Sequence, residues 1–262
     1  MEQTIQTIQA VYASDEAGLR SQIESALNSA PRDFPAVPPI GLLVPDSNRL
    51  GGSAIAASAF AALQGHDYST VIVVSAAHEE SFGRITICRP DQFETPLGTV
   101  SIDGVMREEL CDEDDDIFID DAGHFNETGS SVQIPYLQTT LNDFQVLPIV
   151  MGDESLPFCK ELGSAIGEVI FNRRALIVAS MMIKHATVDA MAELNVAISK
   201  LDTDAIVALF RRSDEITVSG AGPLLVMLLA AKHRRAHEAI AIQPSDDGID
   251  TARTIGAVVL YP

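Results

Sequence analysis

The chain has 262 residues, 47% of them hydrophobic and 21% charged, which is enough apolar material for a sizeable core and too little charge for a disordered polymer. Its formal net charge of −20 excludes a phosphate-backbone partner, which needs clustered Lys and Arg, and opposes an anionic membrane surface. Neither nucleic acid nor a membrane is expected among its partners.

The opening MEQTIQTIQAVYASDEAG has no basic start and no apolar signal core. No apolar run approaches the roughly 20 residues needed to cross a bilayer. A cytoplasmic location is expected. Cys88, Cys111 and Cys159 are odd in number and widely spaced, which suits a reducing compartment rather than a disulfide framework or a metal knuckle.

Taken in chain order, Asp15 to Leu27 reads as a short amphipathic helix, and Pro31 to Pro39 as a stiff proline-rich loop. Together, residues 1–39 form a lead-in to one domain spanning 1–262. Ile40-Gly-Leu-Leu-Val44, closed by Pro45, reads as a buried strand, and Ser53 to Leu63 as an Ala-rich helix. Thr70 to Ser75 is a second buried strand. A solvated loop is the better reading of the acidic run Cys111 to Asp116, which lacks the spaced ligands and central Gly of a calcium loop. Phe144 to Val150 reads as a strand, Leu156 to Phe171 as a helix, Ala175 to Ser180 as a strand and Val188 to Arg212 as one long helix. Short apolar strands alternating with helices predict an α/β fold: a mostly parallel central sheet with helices on both faces. Ala239 to Gln243 and Thr254 to Tyr261 have no helix between them, so an antiparallel pair is expected there.

In open α/β sheets ligands bind beyond the carboxyl ends of strands. Four stretches meet that condition: Pro45-Asp46-Ser47-Asn48-Arg49, Ala76-Ala77-His78-Glu79-Glu80, Met181-Met182-Ile183-Lys184-His185, and the turn Ser219-Gly220-Ala221-Gly222-Pro223. Two of the six histidines, His78 and His185, fall at strand ends. Asp46, His78 and His185 have the donor types of a two-His, one-carboxylate metal set. The other reading makes each His a polar loop residue and Asp46 a turn former, and spacing favours that plainer reading. The chain has no phosphate loop, no nucleophile elbow and no complete dinucleotide fingerprint.

Several longer segments carry a resemblance. Glu94-Thr-Pro-Leu-Gly98, Val100-Ser-Ile-Asp103, Ser131-Val-Gln-Ile-Pro-Tyr-Leu-Gln138, Val146-Leu-Pro-Ile-Val-Met-Gly152 and Ser219-Gly-Ala-Gly-Pro223 together resemble the Memo family, in order and spacing from about Gly41 to the C-terminus. That resemblance implies the fold shared with class III extradiol dioxygenases.

Residue by residue, the implied pocket is diverged. The family's first His, after a strand-ending Pro, is Asp46 here, and the second matches His78. Its Glu-His-Ser-x-Glu-x-Gln motif survives as Glu127 and Gln133, with the His replaced by Thr128 and the second Glu by Ser131. Its late Ser-Ser-Asp-Phe-Ser-His motif becomes Ser180-Met-Met-Ile-Lys-His185, and its Cys before Gly is Ser219.

The resemblance thus implies a divalent metal (Fe, Zn or Cu) on Asp46, His78 and His185. His78, His185 and Glu127 are the catalytic candidates. Arg49, Gln133, Lys184 and Ser219 are the ligand-contact candidates. Loss of acid–base groups at Met182 and Ser131 argues against the parental reaction. Three readings follow: a diverged pocket for a metal or small ligand, a metal-dependent dioxygenase-like oxidoreductase, or a non-catalytic scaffold for a protein or peptide. The partner is a small molecule or a protein that the sequence does not name, and assembly of identical chains is left open.

Overall fold

The computed structural model describes residues 4–6, 15–31, 34–46, 50–78, 82–113, 116–125, 128–242 and 255–261. Four apolar strands lie side by side at its centre. They are β2 (Pro39–Pro45), β9 (Ala175–Ala186), β3 (Thr70–Ala76) and β8 (Gln145–Met151), and each pairs in parallel with its neighbour. β2 and β3 are buried along their whole length, as are β9 up to Met181 and β8 after Gln145. Strands covered on both faces read as continuous apolar runs, which is why these four were legible without alternation.

The flanks are antiparallel. β12 (Gly256–Leu260) pairs with both β2 and β11 (Ala239–Ile242), the pair expected from the sequence. On the other side β4 (Ile85–Ile87) runs against β8 and carries β7 (Ile117–Ile119) in parallel. β10 (Ile216–Ser219) lies antiparallel to the far part of β9. A separate three-stranded sheet joins β1 (Thr4–Gln6) in parallel to β5 (Gln92–Thr95), and β5 antiparallel to β6 (Gly98–Ser101).

Helix ends follow local chemistry. α1 (Glu16–Ser29) starts at Asp15, whose carboxylate accepts from Gly18 N at 2.7 Å. α2 (Leu50–Ala61) and α4 (Thr128–Thr140) meet through Phe60 and Tyr136, whose rings stack with centroids 5.0 Å apart. α3 (Gly104–Glu113) is anchored by buried Asp103, which accepts from Met106 N and from the Thr70 hydroxyl at 2.6 Å. α5 (Leu156–Val169) packs on α8 (Ala221–His233).

Three sequence expectations are corrected. The helix expected over Val188 to Arg212 is two helices, α6 (Val188–Ser199) and α7 (Thr203–Phe210). Leu201 takes φ 52 between them, and Asp202 caps α7 by accepting from Ala205 N. The acidic run is not wholly a loop, because Cys111, Asp112 and Glu113 end α3. The strand expected to stop at Ser180 runs on to Ala186, because β10 gives it a partner beyond the edge of the sheet.

Candidate functional site

The carboxyl ends of β2 and β3 and the Ser180–Met181 stretch of β9 meet the first turn of α4. Asp46 follows β2 directly, and its N–H donates to Met181 O on β9 at 3.1 Å, extending the parallel ladder by one step. Two residues past β3 comes His78. Its Nε2 lies 2.7 Å from Asp46 Oδ2, with the Asp46 side chain 1% exposed and that of His78 23% exposed. Two residues from separate strand ends therefore form a close carboxylate–imidazole pair, the carboxylate inside and the ring at the rim. A carboxylate 2.7 Å from Nε2 is placed to accept from that nitrogen when the ring carries its proton there.

α4 sits on top of this pair. Gln133, fully buried, donates from Nε2 to Pro45 O at 3.0 Å, so it grips the residue before Asp46. The first turn comes so close that a Cβ on Gly129 would overlap Ser75 and lie 3.0 Å from Ser180 Oγ. Ser75 ends β3's apolar stretch and Ser180 occupies the matching place on β9, and both are fully buried. Neither hydroxyl has a hydrogen-bond partner among the described residues, and the same holds for Ser130 Oγ and Gln133 Oε1. Buried polar atoms in folded proteins are normally satisfied, so four such atoms on α4 and the strands beneath it single out this part of the molecule.

The site's far wall is the start of α8. Gly220 takes φ 86, and a Cβ there would lie 2.5 Å from Ser180 O. Glu154 accepts from Gly222 N at 2.7 Å, a carboxylate on the positive end of a helix.

The candidate residues separate into three groups. Asp46, His78 and Gln133 converge. Lys184 and His185 do not join them: they are exposed on the β9–β10 ribbon, His185 opposite Thr217. His185 lies four residues beyond Met181 on β9, roughly 13 Å along an extended strand. Ser219 belongs to β10, opposite Met182, and is half-buried. Arg49 and Glu127 lie outside the described residues. Among the described residues no three His, Cys, Asp or Glu side chains come together to hold a metal ion. The described residues therefore supply two donors of the expected set, and no step through a metal is derived from them. Sequence reasoning named Ser180 only as part of a motif, took Ser75 only as a strand end, and did not single out Gly129. The available signal was that two uncharged strands each end on Ser.

A mostly parallel sheet flanked by helices, with Asp46 and His78 paired beyond its central strands, defines a protein of the α/β class. Comparison with known proteins agrees. The family model described as Memo-like protein matches residues 9–260, and the chain belongs to the Memo family. A MEMO1 family protein of Saccharolobus islandicus is 28% identical over 269 residues, covering 95% of this chain and 94% of that one. Another, from Nitrosopumilus maritimus, is 26% identical over 225 residues and 82% of each chain. The crystal structure of an uncharacterized protein from Escherichia coli K12 shares the fold, with a TM-score of 0.52 at 13% identity, over 84% of this chain and 98% of that one. Among the described residues no helix is long and apolar enough to cross a membrane.

Proposed function

We propose that this Memo-family protein binds a small, oxygen-rich molecule where the carboxyl ends of β2 and β3 meet the Ser180–Met181 stretch of β9, and that His78 moves a proton on it through Nδ1. The observation that carries this reading is the 2.7 Å contact of His78 Nε2 with buried Asp46. An imidazole held by a carboxylate has a fixed orientation and tautomer, the two properties a general base needs before its basicity matters. Ser75, Ser180, Ser130 and Gln133 keep unpaired hydroxyl and carbonyl groups buried around the same strand stretches, which supports a polar rather than an apolar ligand there. Asp46 is a positioning residue, and Gln133 holds the strand end that carries it.

The same contact favours a second reading, because a carboxylate and an imidazole are also metal-ligand types. Fe(II), Zn(II) or Cu(II) would then take Asp46 and His78 with a further donor, as in a dioxygenase-like oxidoreductase. Nitrogen NMR of the His78 ring and metal analysis by plasma mass spectrometry separate the readings. The proton-transfer reading expects an Nε2–H ring in the purified protein, a mixed or reversed tautomer in Asp46→Asn, and metal far below one per chain. Near one metal per chain, lost in His78→Ala, would replace it with the metal reading.

A further inference from the structure

At the opposite edge of the same sheet, where β2, β3 and β9 begin, lies a cavity of about 420 Å³. Its walls bring together Arg173 and Arg174 from the turn before β9, Arg234 from the end of α8, His66 after α2, and Tyr68 and Tyr261. This clustering runs against the composition, because the chain as a whole carries −20. Asp67 also lines the cavity, and Glu109 takes both ends of the Arg173 guanidinium at 2.7 and 2.6 Å. Three guanidinium groups against those two carboxylates leave a net positive cavity. Among the described residues neither Arg174 nor Arg234 has a carboxylate within 4.0 Å.

The frame around these charges is built. Arg174 O accepts from both Ser69 N at 2.8 Å and Ser69 Oγ at 3.1 Å, which pins the turn to the start of β3. The Tyr68 hydroxyl donates to Pro39 O at 2.7 Å, which joins the starts of β3 and β2. The Arg234 guanidinium lies over the Phe171 ring, 4.4 Å from its centroid, so its plane is set without consuming its charge. Burial raises the Tyr261 hydroxyl's pKa and the nearby Arg234 opposes that rise, which places this cation beside the tyrosine.

We propose that this cavity binds the phosphate group of a small phosphate monoester. A planar carboxylate is satisfied by one guanidinium fork, whereas a tetrahedral dianion accepts from several, and arginine is suited to that geometry. The volume falls in the range of about 300–1,000 Å³ usual for small-ligand sites. Glu109 keeps Arg173 in place at the back, while Arg174 and Arg234 present their charges to the ligand.

The test is calorimetric titration of the full chain with inorganic phosphate and with glycerol 3-phosphate, using glycerol and citrate as comparisons. Arg174→Gln is the main variant, because Arg174 is exposed and, among the described residues, only its backbone carbonyl is hydrogen-bonded. Arg234→Gln is the second. Saturable binding of both phosphate compounds, weakened roughly 10-fold or more by either substitution, is expected for a lost charge-assisted hydrogen bond. His78→Ala, at the other edge of the sheet, leaves this binding unchanged. The assignment fails if neither phosphate compound binds at millimolar concentration, or if both arginine variants bind as well as the parent. It fails equally if His78→Ala abolishes binding or if citrate binds and phosphate does not.

Discussion

Gln133, in the second turn of α4, reaches across to Pro45 and donates a 3.0 Å hydrogen bond to the carbonyl just before Asp46. A helix side chain thereby fixes the end of a strand, and through it the carboxylate that holds His78. Replacing Gln133 with Leu keeps the volume and leaves a buried carbonyl without its donor. The expected loss is about 1–3 kcal/mol of stability, read from the urea midpoint. The His78 ring signals should shift in the same variant. A variant as stable as the parent, with His78 unmoved, would remove Gln133 from the account of the site.

Gly220 precedes α8 at φ 86, with its α-carbon turned toward β9. Alanine there must hold a left-handed backbone and place its Cβ 2.5 Å from Ser180 O. Strain and overlap together should cost about 2–3 kcal/mol. Calorimetry of Gly220→Ala against Gly65→Ala isolates the overlap, since Gly65 has a positive φ but nothing within 4 Å of an added Cβ. Gly220→Ala is expected to lower the melting temperature more than Gly65→Ala does.

Burial pushes the Cys88 and Cys159 thiols up from 9.0 to about 12. The folded chain keeps these protons where the unfolded chain has released them, so the thiols favour folding fully below pH 9 and that advantage is lost as pH rises toward 12. Each thiol contributes a slope of at most about 1.4 kcal/mol per pH unit in that window. Burial raises Tyr68 as well, which adds to the same decline from about pH 10 upward. Urea titrations under reducing conditions should show stability falling through this window, and less steeply in Cys159→Ala. An equal slope in the variant would mean that Cys159 is not held protonated by the fold.

Thiol chemistry offers a simpler check. Cys88 and Cys159 are buried and Cys111, on α3, is partly exposed. A thiolate must form and be reached before it reacts. One fast equivalent of a thiol reagent is expected in the native protein, lost in Cys111→Ser, with the other two reacting only on unfolding. Three fast equivalents would contradict the packing around β4 and α5.

The parallel centre was legible because its strands are short, apolar and bounded by proline, glycine or serine, and the pairing of Ala239–Ile242 with Gly256–Leu260 followed from the missing helix between them. β4, β7 and the sheet of β1, β5 and β6 were not, since three- and four-residue strands carry too little pattern to separate from loop. At the site, Asp46 and His78 were legible as strand-end residues. His185 was misplaced because nothing in its own neighbourhood announces that β10 will extend β9, a contact supplied by residues 216–219. Gln133 was found by resemblance, but its grip on Pro45 depends on how α4 lies over the sheet. The arginine cavity escaped because its members come from five distant stretches, at Pro38, Gly65–Tyr68, Arg173–Arg174, Arg234 and Tyr261, that no local pattern connects.

The amide of Asp46 closes on the carbonyl of Met181, a residue about half the chain further on. During synthesis β2 emerges early and must wait for β9 before its last step exists. Contacts so distant in sequence form late and slowly. The pair Asp46–His78 is therefore expected to settle late: a nascent chain that ends before β9 carries both residues without the ladder step that fixes the first of them.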